Sequence, residues 1–79
     1  MKNKIYQVIE SFSIADQIIV MKGDKVKFLN VETIEPSNRL KDPYNEFYFE
    51  VVKSDWCEGL EINLKANEVA NYLGYIILP

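Results

Sequence analysis

Three groups of side chains in this sequence have the types and spacing that chemistry or recognition would use. The first is Trp56 followed by Cys57, set among Asp55, Glu58 and Glu61. An exposed tryptophan is a strong anchor for a partner protein, because its ring removes a large area from water when it is covered. Tryptophan is more often buried, and the ordinary expectation is that Trp56 folds over one end of the core. As a nucleophile, Cys57 would need a base or a positive field to lower its pKa, yet its neighbours are acidic. It reads as a small hydrophobe.

The second group is two carboxylate pairs, Glu46 with Glu50 on one strand face and Glu58 with Glu61 near a turn. Two carboxylates divide acid and base roles when their surroundings push their pKa values apart. Solvated faces are the commoner source of such pairs. The third group is Lys22, Lys25 and Lys27, a small basic patch that Tyr48 joins if the neighbouring strands pair. A patch of this kind suits a nucleic acid or another anionic partner, although three lysines give little affinity at cellular salt.

The absent residue types narrow the chemistry further. With no histidine, the chain lacks the commonest neutral-pH acid, base and metal ligand, and one cysteine is too few for a zinc set. No catalytic residue, metal or cofactor is implied, and the expectation is a protein that is not an enzyme. The net charge of −3 disfavours broad contact with phosphate backbones and is too small for a polyanion mimic. A lone cysteine and no apolar run behind a basic segment near Met1 point to the cytoplasm. The apolar run at residues 75–78 falls far short of the roughly 20 residues that a membrane span needs. Abundant Lys, Asn and Ile suggest an AT-rich coding sequence, as in a low-GC bacterium or one of its mobile elements.

Seventy-nine residues make one domain, 1–79, near the lower size limit for folding without disulfides or metals. A 48% apolar content with one Trp, five Tyr and four Phe still supplies a core. The stretch 17–29 organises the rest. It reads as strand, tight turn, strand, with Gly23 or Asp24 at positive φ, and so as a β hairpin or a diverging turn. A first strand is expected over residues 4–12, then a short connection and a second strand over 17–21. In the third strand Val26 and Phe28 share a face before Leu29 and Val31 shift the phase, which predicts a bulge near Phe28 or Leu29 or a strand covered on both faces. Two prolines with Ser, Asn and Asp make residues 33–45 the longest irregular stretch, a loop with no strand of its own that reads as a functional loop or as a disordered spacer.

Strand four, 46–52, turns Phe47, Phe49 and Val51 one way and Glu46, Tyr48 and Glu50 the other. Strand five alternates Leu60, Ile62 and Leu64 with Glu61, Asn63 and Lys65. Phe47, Phe49, Leu60, Ile62 and Leu64 are therefore the expected core. Residues 66–73 switch to a helical period, with Asn67 as cap and Gly74 as stop, before a last strand over 75–78.

This order resembles an SH3-like small barrel: mainly β, five or six short strands, and one short helix before the last strand. Lys22-Gly23-Asp24-Lys25-Val26 looks like the diverging turn of that fold. Phe47-Tyr48 sits where paired aromatics open the central strand, and Gly59-Leu60 precedes the helical turn and terminal strand. Proline-peptide-binding SH3 domains carry an Ala-Leu-Tyr-Asp-Tyr motif and a Pro-x-x-Tyr. This chain has neither, offering only Tyr72 without the proline. The toxin nucleases with an SH3-like core share the Gly-Asp followed by valine, but their Arg-Pro segment and basic catalytic residues have no match here. The resemblance implies a non-catalytic protein-interaction module or small accessory protein, with a nucleic-acid-binding small barrel as the alternative. Tyr44, Tyr48 and Trp56, with the 33–45 loop, are the expected partner-binding surface. The apolar last strand is the candidate edge for a homodimer.

Overall fold

The computed structural model describes residues 4–37 and 41–75. They form β1 (Ile5–Val8), β2 (Phe12–Ala15), β3 (Ile18–Val20), β4 (Lys25–Ile34), β5 (Tyr44–Lys53), β6 (Glu61–Lys65), α1 (Ala66–Tyr72) and β7 (Leu73–Tyr75). The fold is mainly β. Five strands make one antiparallel sheet in the order β6-β5-β4-β1-β7, and β2 pairs with β3 in a separate two-stranded sheet. Among the described residues the two sheets are not closed into a barrel by pairing.

Alternation in β4, β5 and β6 builds the core. Phe28 lies opposite Phe49, and Phe49 opposite Ile62, so one inward-facing row crosses three strands. The Phe28 and Phe49 rings meet edge to face at 5.7 Å, and Tyr6 from β1 meets Phe49 at 6.0 Å. Val8, Phe12, Val20, Val26, Val51, Cys57, Leu64 and Leu73 complete the buried set. The expected bulge is present: pairing skips from Phe28 to Asn30, leaving Leu29 as the extra residue.

Residues 17–29 form a diverging turn, since β3 leaves toward β2 while β4 leaves toward β1 and β5. Gly23 takes φ of 98°, and its N–H donates to the Val8 carbonyl at 2.8 Å while Val8 N–H donates to the Asp24 carbonyl at 2.8 Å. The Asp24 carboxylate closes the turn by accepting from Met21 N–H at 2.9 Å. A side chain at Gly23 would meet nothing, so the need for glycine there is conformational.

Several expectations are corrected. The single strand over 4–12 is split into β1 and the start of β2, and the supposed connection after Phe12 is itself strand, because Phe12 pairs with Val20 and Ser13 with Ile19. Ribbon pairing extends into the 33–45 stretch, with Thr33 opposite Asn45 and Ile34 opposite Tyr44, so the irregular part is shorter than expected. Leu60 precedes β6 and stays 40% exposed, and Phe47 is half-buried against the core. Asn67 lies within the helix, whose N-cap is Lys65. Gly74 lies in β7 opposite Gln7, where a Cβ would come within 2.7 Å of Ile9 Cγ2; close approach is its role. The last strand starts at Leu73, and residues 76–79, which carry most of the expected dimer edge, lie outside the described residues.

Candidate interaction surface

The turn after β5 decides where Trp56 goes. Ser54 Oγ accepts hydrogen bonds from Trp56 N–H at 3.2 Å and Cys57 N–H at 3.3 Å, the geometry by which a serine hydroxyl closes a local turn. Cys57 is drawn inward, with its Sγ 3.5 Å from Ser54 Oγ and donating to the Ile19 carbonyl at 3.9 Å. Gly59 at φ of 91° lets its N–H reach the Val51 carbonyl at 2.7 Å, and Leu60 N–H reaches the Cys57 carbonyl at 3.1 Å. With Cys57 pinned at 2% exposure, its neighbour Trp56 is held outward at 77%. The expectation that Trp56 covers the end of the core is therefore corrected.

Trp56 does not stand alone. Gln17, Ile19 and Met21 join it around a shallow groove of about 270 Å³. Ile19 and Met21 are 44% and 41% exposed. β3 puts Val20 into the core and so turns Ile19 outward. Apolar side chains this exposed and this close together are uncommon on a surface with no partner.

The other two expected anchors lie elsewhere. Nine residue steps of extended strand, about 30 Å of chain, separate Tyr44 from Lys53, and Trp56 lies beyond Lys53. Tyr44 receives Lys65 Nζ over its ring at 5.0 Å. Tyr48 stands opposite Asn30 and Asn63, and its hydroxyl donates toward Glu46 Oε2 at 3.2 Å and Glu32 Oε2 at 3.3 Å. Asn63 Nδ2 donates to the same Glu46 oxygen at 3.1 Å. The three anchors thus divide into an apolar site at Trp56 and a hydrogen-bonded polar face on β5.

Burial against its neighbours, then the nearby Glu32 charge, pushes the Tyr48 phenol above its ordinary value. A phenol whose pKa is raised on folding stabilises the fold below its unfolded pKa of about 10 and loses that contribution as pH climbs through the folded value. Tyrosinate absorbance, as the difference between wild type and Tyr48→Phe, should show Tyr48 ionising above the ordinary phenol value. Glu32→Gln should bring it back down. An unshifted titration in the wild type would remove the carboxylate contacts from consideration.

The three lysines differ in their surroundings. Lys22 is exposed in the turn, and Lys27 Nζ lies 3.4 Å from Glu50 Oε1, which offsets its charge. Lys25 stands opposite Lys53, a basic neighbour that only cross-strand register reveals. In the Glu46–Glu50 pair, Glu46 is held by Tyr48 and Asn63 and Glu50 by Lys27, so these two carboxylates have separate partners. Among the described residues no cluster of three or more His, Cys, Asp and Glu is placed to hold a metal. No helix among them is long and apolar enough to cross a membrane.

Sequence reasoning missed Gln17, Ile19 and Met21. The one available signal was the pair Ile18-Ile19, since two consecutive aliphatics in a strand cannot both face inward. Compared with family models, curated proteins and solved structures, the chain matches none of them.

Proposed function

We propose that the protein is a non-catalytic interaction module, an SH3-like small barrel open along one side, that grips a partner protein through Trp56, Ile19 and Met21. The observation that carries this reading is the 77% exposure of Trp56 beside two exposed aliphatic side chains. The Ser54 turn holds the backbone at Trp56 before any partner arrives, so little backbone freedom is lost on binding. The partner would supply an apolar side chain to the groove, and tryptophans at such centres dominate binding energies. The strand order and the diverging turn at Gly23 support the SH3-like assignment. A single buried cysteine is in keeping with a cytoplasmic setting.

The test compares wild-type and Trp56→Ala baits in capture from a native lysate. Because Trp56 is exposed, its removal should move stability by no more than about 0.5 kcal/mol. It should weaken capture by at least about 2 kcal/mol, roughly thirtyfold. Tyr48→Ala should capture as the wild type does. A Trp56→Ala protein that captures undiminished would place the binding surface elsewhere. Oligonucleotide binding with a steep salt dependence, lost on removing Lys25 and Lys53, would replace this reading with the nucleic-acid one.

A further inference from the structure

A cleft of about 390 Å³ lies between β2 and β6, away from Trp56. Its walls include the consecutive residues Phe12–Ala15 on one side and residues 60–64 on the other. A strand's side chains alternate, so a sheet face would offer every second residue, and an uninterrupted run is the mark of a strand edge. Among the described residues both edges are unpaired: β6 pairs only with β5, and β2 only with β3.

The backbone direction follows from the register. Val51 N–H donates to the Leu60 carbonyl at 2.8 Å, and Glu50 and Phe49 stand opposite Glu61 and Ile62. Leu60, Ile62 and Leu64 therefore turn their backbone groups toward β5. Glu61 and Asn63 turn theirs outward. Lys65 continues the outward series, and its N–H is indeed found off the sheet, donating to Glu68 Oε1 at 2.9 Å. The edge thus presents two residues in the two-residue repeat that an incoming strand needs.

The lining selects the occupant. Phe12 stacks on Tyr72 at 4.6 Å and, with Ile14 and the buried Ile62 and Leu64, makes the inner side apolar. Among the described residues the charged groups on the lining are Glu61 and Glu68, with no lysine or arginine beside them. Among the described residues Glu61 has no ion pair, and its cross-strand neighbour Glu50 is taken by Lys27. We propose that this cleft accepts an extended segment of a partner protein, alternating apolar and basic residues, as an added strand between β2 and β6. Its apolar side chains would lie against Phe12 and Ile62, its cations by Glu61 and Glu68, and its amides on the backbone of Glu61 and Asn63. This site is independent of the Trp56 groove, so either can fail alone.

The probe is a short synthetic peptide of alternating lysine and valine, followed by amide NMR of the whole chain. Glu61 and Asn63 amides are expected to shift most and to exchange more slowly with peptide bound. Glu61→Lys, an exposed change whose folding a thermal melt checks, should weaken binding about tenfold, since attraction is replaced by repulsion. Peptide N-methylated at alternate amides should not bind, a glutamate-valine peptide should not bind, and Trp56→Ala should bind as wild type. Equal binding of the N-methylated peptide, or shifts centred away from β6, would overturn the proposal. So would concentration-dependent protection of Glu61 and Asn63 without peptide, because the occupant would then be a second copy of this chain.

Discussion

Phe49→Ala is expected to leave the domain largely unfolded in mild denaturant. Phe49 is 1% exposed, sits on β5 between β4 and β6, and holds the edge-to-face contacts with Tyr6 and Phe28. Truncating a buried phenylalanine removes its transfer energy and leaves a cavity, together about 3–5 kcal/mol. At typical stability per residue a 79-residue domain holds about 4–12 kcal/mol in total, so this one change removes a large share. In urea, where m-values of small domains start near about 1 kcal/mol per molar, the midpoint should fall by about 3 M or the transition should vanish. A midpoint within about 0.5 M of wild type would mean that Phe49 is not packed in the core between β4 and β6.

The second large effect is a contrast between two positions on one strand face. Ile62→Ala should cost about 2–5 kcal/mol, because Ile62 is 4% exposed and lies across from Phe49. Leu60→Ala shares its alternation yet should cost less than about 1 kcal/mol, since Leu60 is 40% exposed before β6 begins. Denaturant melts of both variants give the comparison directly. Equal losses would place Leu60 in the core and move the start of β6 earlier. Two small losses would show that β6 does not cover the sheet's inner face.

The two surfaces differ in what they ask of a partner. The Trp56 groove is built of side chains and under the proposal would recognise shape and apolar area, while the β2–β6 cleft would offer main-chain groups to an extended backbone. A partner using both would gain from tethering, since the second contact forms at a high effective concentration once the first has formed.

What the sequence determined by itself was local. Alternation in β5 and β6 placed Phe49, Val51, Ile62 and Leu64 inside, the broken phase after Phe28 allowed the bulge that falls at Leu29, and glycine beside Asp24 marked the turn where Gly23 takes positive φ. Each depends on a residue and its near neighbours, where strand period and backbone sterics act. What only the tertiary structure decided was which strands are neighbours. Residues 17–29 read equally well as a hairpin or a diverging turn, because alternation names a face and never a partner. The choice fell to Phe12 pairing with Val20 and Val26 pairing with Tyr6. Candidate sites followed the same division. Lys27 met Glu50, Lys25 met Lys53, and Tyr48 met Glu32 across a strand boundary that no spacing encodes. Trp56 came to lie beside Ile19 and Met21 because the buried Cys57 ties its turn to β3, a contact spanning 38 residues of sequence. The exposure of Trp56 was illegible for that reason: the propensity of tryptophan is to be buried, and here one serine hydroxyl and one inward cysteine outweigh it.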